Sequence, residues 1–324
     1  MTLRLCRAFI IVSLIVAMPC VALAQAYPTK AIHLIVGVPP GGTTDVIARL
    51  ISPKLSAQLG QQVIVENRAG AGGNIGAEFV VKSPPDGHTI YLGPIGTMSI
   101  NSSLYPHMTW DTLRDFAPIS QLTSIPQMLV VHPSVPANDV GQLIALAKSR
   151  PGQLNFASAS AGSATHLAAE LFKSMSGTNI VHIPYKGSGP AMIDLLGGQV
   201  SMMFEQIVTA LPPVRQGKLR ALGVTTLKRS PVAMDIPTIA EAGLPGYDVT
   251  TWHGLFAPAA TPRNIVNRLS NETAKALQSK DINEKFLAQG ADPVSSTPEQ
   301  FVAFLKVEIA KWAKVVKESG AKLE

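Results

Sequence analysis

The stretch "AIHLIVGVPPGGTTDVIARL", Ala31 to Leu50, constrains the fold most, because the backbone period changes within a few residues. "IHLIVGV" (Ile32 to Val38) is a continuous β-branched run, the pattern of a buried strand in a parallel sheet. After the glycine pair, Val46, Ile47, Leu50, Ile51, Leu55 and Leu59 fall on one helical face, and Gly60 ends the helix. The unit then recurs. "QQVIVEN" and "GHTIYLG" read as the next strands, with a glycine-rich turn and a helix near Asn74 to Lys82 between them. Further strands are expected at Pro126 to Pro133, Leu154 to Ser158, Asn179 to Tyr185, Val200 to Phe204 and Leu219 to Thr225. Helices fall between most of them, at Val140 to Ser149, Ala164 to Met175 and Pro190 to Leu196. This alternation predicts α/β lobes with mostly parallel sheets. From Pro262 onward the chain reads as helical. Its clearest piece is capped by Thr297, has Pro298 at the first helical position, and carries a stripe of Phe301, Leu305, Ile309, Trp312 and Val316.

The first 26 residues have the layout of a secretory signal peptide: Arg4 and Arg7, an apolar core from Ala8 to Ala17, then small residues permitting cleavage after Ala24 or Ala26. The core is too short for a membrane anchor and Pro19 interrupts it. Both cysteines, Cys6 and Cys20, lie there, so the exported chain must be stable without disulfides. Without Arg4 and Arg7 the 27 basic residues become 25 against 21 acids, a net of +4. The charges are scattered, which argues against nucleic acid and favours small anionic ligands.

Three strand-to-helix loops share one design: Gly41-Gly42-Thr43-Thr44-Asp45, "SASAGSATHLAAELF" with Ser163 as helix cap, and "YKGSGPAMIDLLGG" with Pro190 at the first helical position. Small residues leave backbone N–H groups exposed at a helix N-terminus, where partial positive charge accumulates. Such a place suits a carboxylate as well as a phosphate, and no arginine is required. The plainer reading of any one loop is a tight turn that packs its helix on the sheet.

Nucleotide binding fails on detail. "GAGGNIG" has Ile75 where the dinucleotide fingerprint needs its third glycine, and no phosphate loop with a Gly-Lys-Ser/Thr ending occurs. No Gly-x-Ser-x-Gly elbow or His-Glu-x-x-His motif is present, and the seven histidines lack ligand spacing, so neither metal nor cofactor is expected. A secreted α/β hydrolase or isomerase would need a titratable pair such as His166 and Glu205 within hydrogen-bond reach. Otherwise His166 is expected to bond the loop backbone. Asp45 is expected to pair with Arg49 four residues on.

The motifs "VPPGGTTDVIAR", "VENRAGAGGNIGAEFVVKSPPDGHTI", "SAGSATHLAAELF", "IPYKGSGPAMIDLLGGQVSMMF", "GKLRALGVT" and "PTIAEAGLPGYDVTTWHGLFAPAATP" resemble the Bug receptors, or TctC family, the extracytoplasmic solute-binding proteins of tripartite tricarboxylate transporters. The resemblance runs from about Tyr27 to the C-terminus. It implies a periplasmic-binding-protein-like α/β fold, a Venus flytrap whose two α/β lobes close on a ligand cleft, with a helical C-terminus. The lobes would be residues 27–126 with 250–324, and residues 127–249. It also implies a monomeric, periplasmic, non-enzymatic protein that captures a small organic carboxylate for membrane permease subunits. A ligand-gated partnership with a sensor kinase is compatible with the same cleft.

Carried over position by position, the resemblance places Gly41, Gly42, Thr43, Thr44 and Asp45 in the first carboxylate loop. It places Ala161, Gly162, Ser163, Thr165 and His166 in the second-lobe loop. Glu205 ends the "VSMMF" strand at the sheet's carboxyl edge, where α/β proteins bind ligands, and is expected either to reach the pocket or to make a rim or hinge salt bridge. Family members more often carry Asp there. Val38 stands where an aromatic is frequent, and Trp252 is expected to pack at the hinge rather than stack on a ligand.

Overall fold

The computed structural model describes residues 27–41, 43–185 and 187–319. The expected signal peptide, Gly42 and Lys186 lie outside the described residues.

Three parallel strands begin the molecule: β1 (Ile32–Val36) at the centre, with β2 (Val63–Asn67) and β3 (Thr89–Pro94) on either side. Alternation sends Leu34 and Val36 to one face and Ile35 to the other, and all three are buried, as a strand covered on both sides requires. Helix α1 (Thr43–Leu59) returns the chain over the first face and buries Ile47, Ile51 and Leu55 against Leu34 and Val36. Helix α2 (Asn74–Val81) covers the other, setting Ala77 and Val80 in the cluster that holds Ile35 and Tyr91.

The sheet is then joined by a strand of 16 residues, β4 (Phe116–Val131). Its first part pairs antiparallel with β9 (Thr250–Pro258), which lies between β3 and β4. Beyond Pro126 it pairs antiparallel with β7 (Met202–Gln206) and β8 (Arg220–Val224). A second parallel set completes that half, with β5 (Asn155–Ser158) between β6 (Val181–Pro184) and β7. The path is β2-β1-β3-β9-β4-β7-β5-β6, so β4 is the element shared by both halves. The fold is that of two α/β lobes on one curled sheet.

Around the second parallel set lie α3 (Val140–Ser149), α4 (Ala164–Ser176), α5 (Ser188–Leu196) and α6 (Ile207–Arg215). The chain returns through β9 into α7 (Arg263–Gln278), α8 (Lys280–Ala288), the short β10 (Asp292–Pro293) on β4, and α9 (Pro298–Ser319). Helix α9 is fastened to β9 through Glu308, a buried carboxylate accepting the indole N–H of Trp252 and of Trp312, each at 3.0 Å.

Three sequence expectations need correction. The sheets are not mostly parallel, since every pairing of β4 and β9 is antiparallel. Strand β4 begins at Phe116 rather than Pro126, and β9 was not expected at all. Both segments place polar residues in the interior (Ser120, Gln121, Thr123, Thr251 and His253), which blurs the apolar signal that marks a buried strand.

Candidate functional site

A cavity of about 350 Å³ opens between the halves, within the size range of small-molecule sites. One wall is Val38, Thr43 and Thr44, where β1 gives way to α1. A second is Gly72 with Pro94, Ile95, Gly96 and Thr97. Ala164 and Gln206 face them from the other half, and Thr251, Trp252 and His253 of β9 form the remainder. None of these lining residues carries a formal charge at neutral pH, because burial holds His253 neutral, with its pKa pushed down to about 4. What the walls offer is hydroxyls, an amide, and the N-termini of α1 and α4, whose first-turn N–H groups have no partner within their own helices.

The first loop is held by Asp45. Its carboxylate takes the Gly41 N–H at 2.9 Å, Asn67 Nδ2 at 2.9 Å and Arg49 Nε at 3.0 Å. The Arg49 hydrogen bond is the largest influence bringing its pKa down to about 2. Asp45 is therefore occupied in shaping the turn, and Gly41 enters that turn with a φ of 87°, a left-handed conformation glycine adopts without strain. Thr43 and Thr44 line the cavity, and both hydroxyls are engaged. Thr43 Oγ1 donates across the cleft to Gln206 Oε1 at 3.1 Å, and Thr44 Oγ1 lies 3.0 Å from His253 Nε2.

The second loop is held in the same manner. Ser163 caps α4, its Oγ accepting the His166 N–H, as the sequence predicts. His166 Nδ1 accepts the Gly162 N–H at 2.9 Å, and Thr165 Oγ1 accepts the Ala159 N–H at 3.0 Å. His166 therefore bonds the loop backbone, and its ring stacks on His182 with centroids 3.8 Å apart. Ala161 is exposed on the loop. The second-half residue that reaches the cavity from this loop is Ala164, one position past the cap, together with Gln206.

Glu205 departs from its expectation. It is 2% exposed, does not line the cavity and makes no salt bridge among the described residues. Its Oε1 accepts the Gln206 N–H at 2.9 Å, and its Oε2 has no well-formed hydrogen bond, although the Ser188 side chain comes close enough to moderate its acidity. Burial pushes the carboxyl above the usual range. The reason is register: Glu205 opposes Met128 and Gln206 opposes Gln127, and alternation turns the two side chains to opposite faces. A one-residue error in placing the strand end selects the wrong side chain. His166 and Glu205 do not bond one another; the carboxylate beside His166 is that of Glu170, 3.5 Å from its Nε2.

The second wall is not among the loops the sequence nominates. Gly72 belongs to the glycine-rich turn that the sequence excludes as a nucleotide loop, and Thr97 Oγ1 and Asn101 Nδ2 clamp its carbonyl at 2.8 and 3.0 Å. The "YKGSGP" loop, expected as the third site, contributes no described residue to the cavity. Its helix starts at Ser188, so Pro190 is the third helical residue. Trp252 lines the cavity and packs edge-on to Phe301 and Phe304, with centroids at 5.8 and 5.5 Å.

Residues 47–321 match the model of the tripartite tricarboxylate transporter family receptor. The chain belongs to that family. The receptor is 43% identical to BugT of Bordetella pertussis over 302 residues, which is 93% of each chain. Among solved structures it is similar to Rpa4515 of R. palustris with adipate, at a TM-score of 0.80 and 40% identity, covering 92% of this chain and all of that one. It is also similar to MatC of Rhodopseudomonas palustris with bound malate, at a TM-score of 0.76 and 35% identity, covering 90% and 100% of the two chains. Among the described residues, no helix of the receptor is long and apolar enough to cross a membrane.

Proposed function

We propose that the receptor captures a small organic carboxylate in this cavity and passes it to the permease subunits of a tripartite transporter. The observation that carries the reading is the meeting of two helix N-termini, at Thr43-Thr44 and at Ala164, across a cavity lined without charged side chains. A carboxylate there is held by main-chain N–H groups and threonine hydroxyls, each charge-assisted bond contributing about 1.5–3 kcal/mol. The solved relatives with adipate and with malate support the same ligand class. Of the residues the sequence nominates, Thr43 and Thr44 act on the ligand directly. Gly41, Asp45, Ser163, Thr165 and His166 hold the two loops in shape.

The receptor works as a periplasmic protein, exported by residues 1–26 and cleaved after Ala24 or Ala26. Its lobes are residues 27–126 with 250–324 and residues 127–249, and β4 supports that division by changing partners after Pro126. No bond is made or broken. Closure removes water from the cavity and strengthens every hydrogen bond to the anion.

A thermal-shift screen of mono- and dicarboxylates, adipate and malate included, tests the reading. An acid at 100 times its dissociation constant adds about 2.7 kcal/mol to stability and raises the midpoint, whereas its diamide leaves it in place. Equal shifts from acid and amide would reject carboxylate capture.

A further inference from the structure

His253 lines the cavity, yet it is only 3% exposed and both of its ring nitrogens are engaged. Nε2 lies 3.0 Å from Thr44 Oγ1, in the first turn of α1, and Nδ1 lies 2.9 Å from Thr123 Oγ1 on β4. Strand β3 sets Pro94 opposite it, and Phe301 of α9 packs on the neighbouring Gly254. Among the described residues none of these elements presents a charged side chain to the imidazole, and burial is the sole influence on its titration.

A neutral imidazole has one N–H, so one of the two threonines must donate to the ring. When Thr44 is that donor, its hydrogen is spent inward and its oxygen faces the cavity as an acceptor, which repels a carboxylate. In the tautomer with its hydrogen on Nε2 the neutral ring donates to Thr44 and accepts from Thr123, whereas an imidazolium donates to both threonines and so frees Thr44 in every case. The Thr44 hydrogen is then released toward the cavity, where an anion accepts it.

We propose that His253 is the positioning residue of the cleft: a carboxylate arriving at Thr44 draws a proton onto the ring, and the ring turns the Thr44 hydroxyl onto the ligand. The proposal rests on carboxylate capture in this cavity. Capture is then coupled to proton uptake and strengthens as the pH falls. An anion next to the site raises the imidazole from about 4, so the liganded receptor holds more of a proton there than the free one.

Isothermal titration of adipate (malate where adipate gives no shift) at pH 6, in two buffers of different ionisation enthalpy, counts the protons. The wild type is expected to take up a measurable fraction of a proton more per ligand than His253→Gln, and to bind tighter at pH 6 than at pH 8 while the variant shows no such gain. Should His253→Gln fail to fold, Thr44→Val against Thr44→Ser gives the same contrast, with the serine retaining the proton uptake. Equal proton counts in wild type and variant would overturn the proposal and leave carboxylate capture standing. Failure of every acid in the screen would overturn both.

Discussion

Single residues in this receptor owe their roles to burial as much as to chemical type. His182 illustrates this. Its ring lies between Phe156 and His166, with centroids at 4.8 and 3.8 Å, and its Nε2 meets Ser158 Oγ at 2.7 Å. Burial first, and His166 second, lower its pKa to about 4, so like His253 it stays neutral in the fold. In the unfolded chain both take up protons near pH 6.5. The stability tied to their neutrality is therefore complete above that pH and is lost as the pH falls from about 6.5 toward 4. Melting curves of the unliganded receptor between pH 7 and 4.5 should show a falling midpoint, and His182→Gln should flatten that slope. An unchanged slope would place the acid sensitivity elsewhere. The His166 backbone bond and the Asp45–Arg49 pair were both legible in the sequence, because they are local and set by helical spacing. The fate of Glu205 was not, because one step of strand register decides which face a side chain takes.

At the scale of elements, the outer parallel strands and their helices read clearly from periodicity. Strands β4 and β9 did not. They are central, yet they carry buried Thr123, Thr251 and His253, whose polar groups are satisfied by partners distant in sequence. Gly254 shows how closely β9 is packed, since a β-carbon there would fall 2.2 Å from Phe301 Cζ on α9. An aromatic ring inside a core cannot retreat far. Gly254→Ala should cost about 1–3 kcal/mol through overpacking, read as a lower midpoint in chemical denaturation. A neutral result would mean that α9 sits loosely on the sheet.

For the whole molecule, the decisive contacts cross the cleft. Thr43 Oγ1 to Gln206 Oε1 spans 163 positions of sequence and ties the start of α1 to the end of β7. One such bond is worth about 0.5–1.5 kcal/mol, so Thr43→Val should lower the closed-to-open ratio about two- to tenfold. Small-angle scattering of the unliganded variant should report a larger radius of gyration. An identical radius would show that this bond does not hold the halves together. The sequence by itself determined the α/β class, the helix caps, three loops whose small residues suit an anion (of which two reach the cavity), and the motifs shared with the receptor family, since all of these are local patterns in period and residue type. Only the tertiary structure decided that the glycine turn at Gly72 forms the second wall of the cavity, that Gln206 rather than Glu205 lines it, and that His253 reaches Thr44. Those outcomes depend on pairing register and on which strand lies between which others, and no short stretch of sequence carries that information.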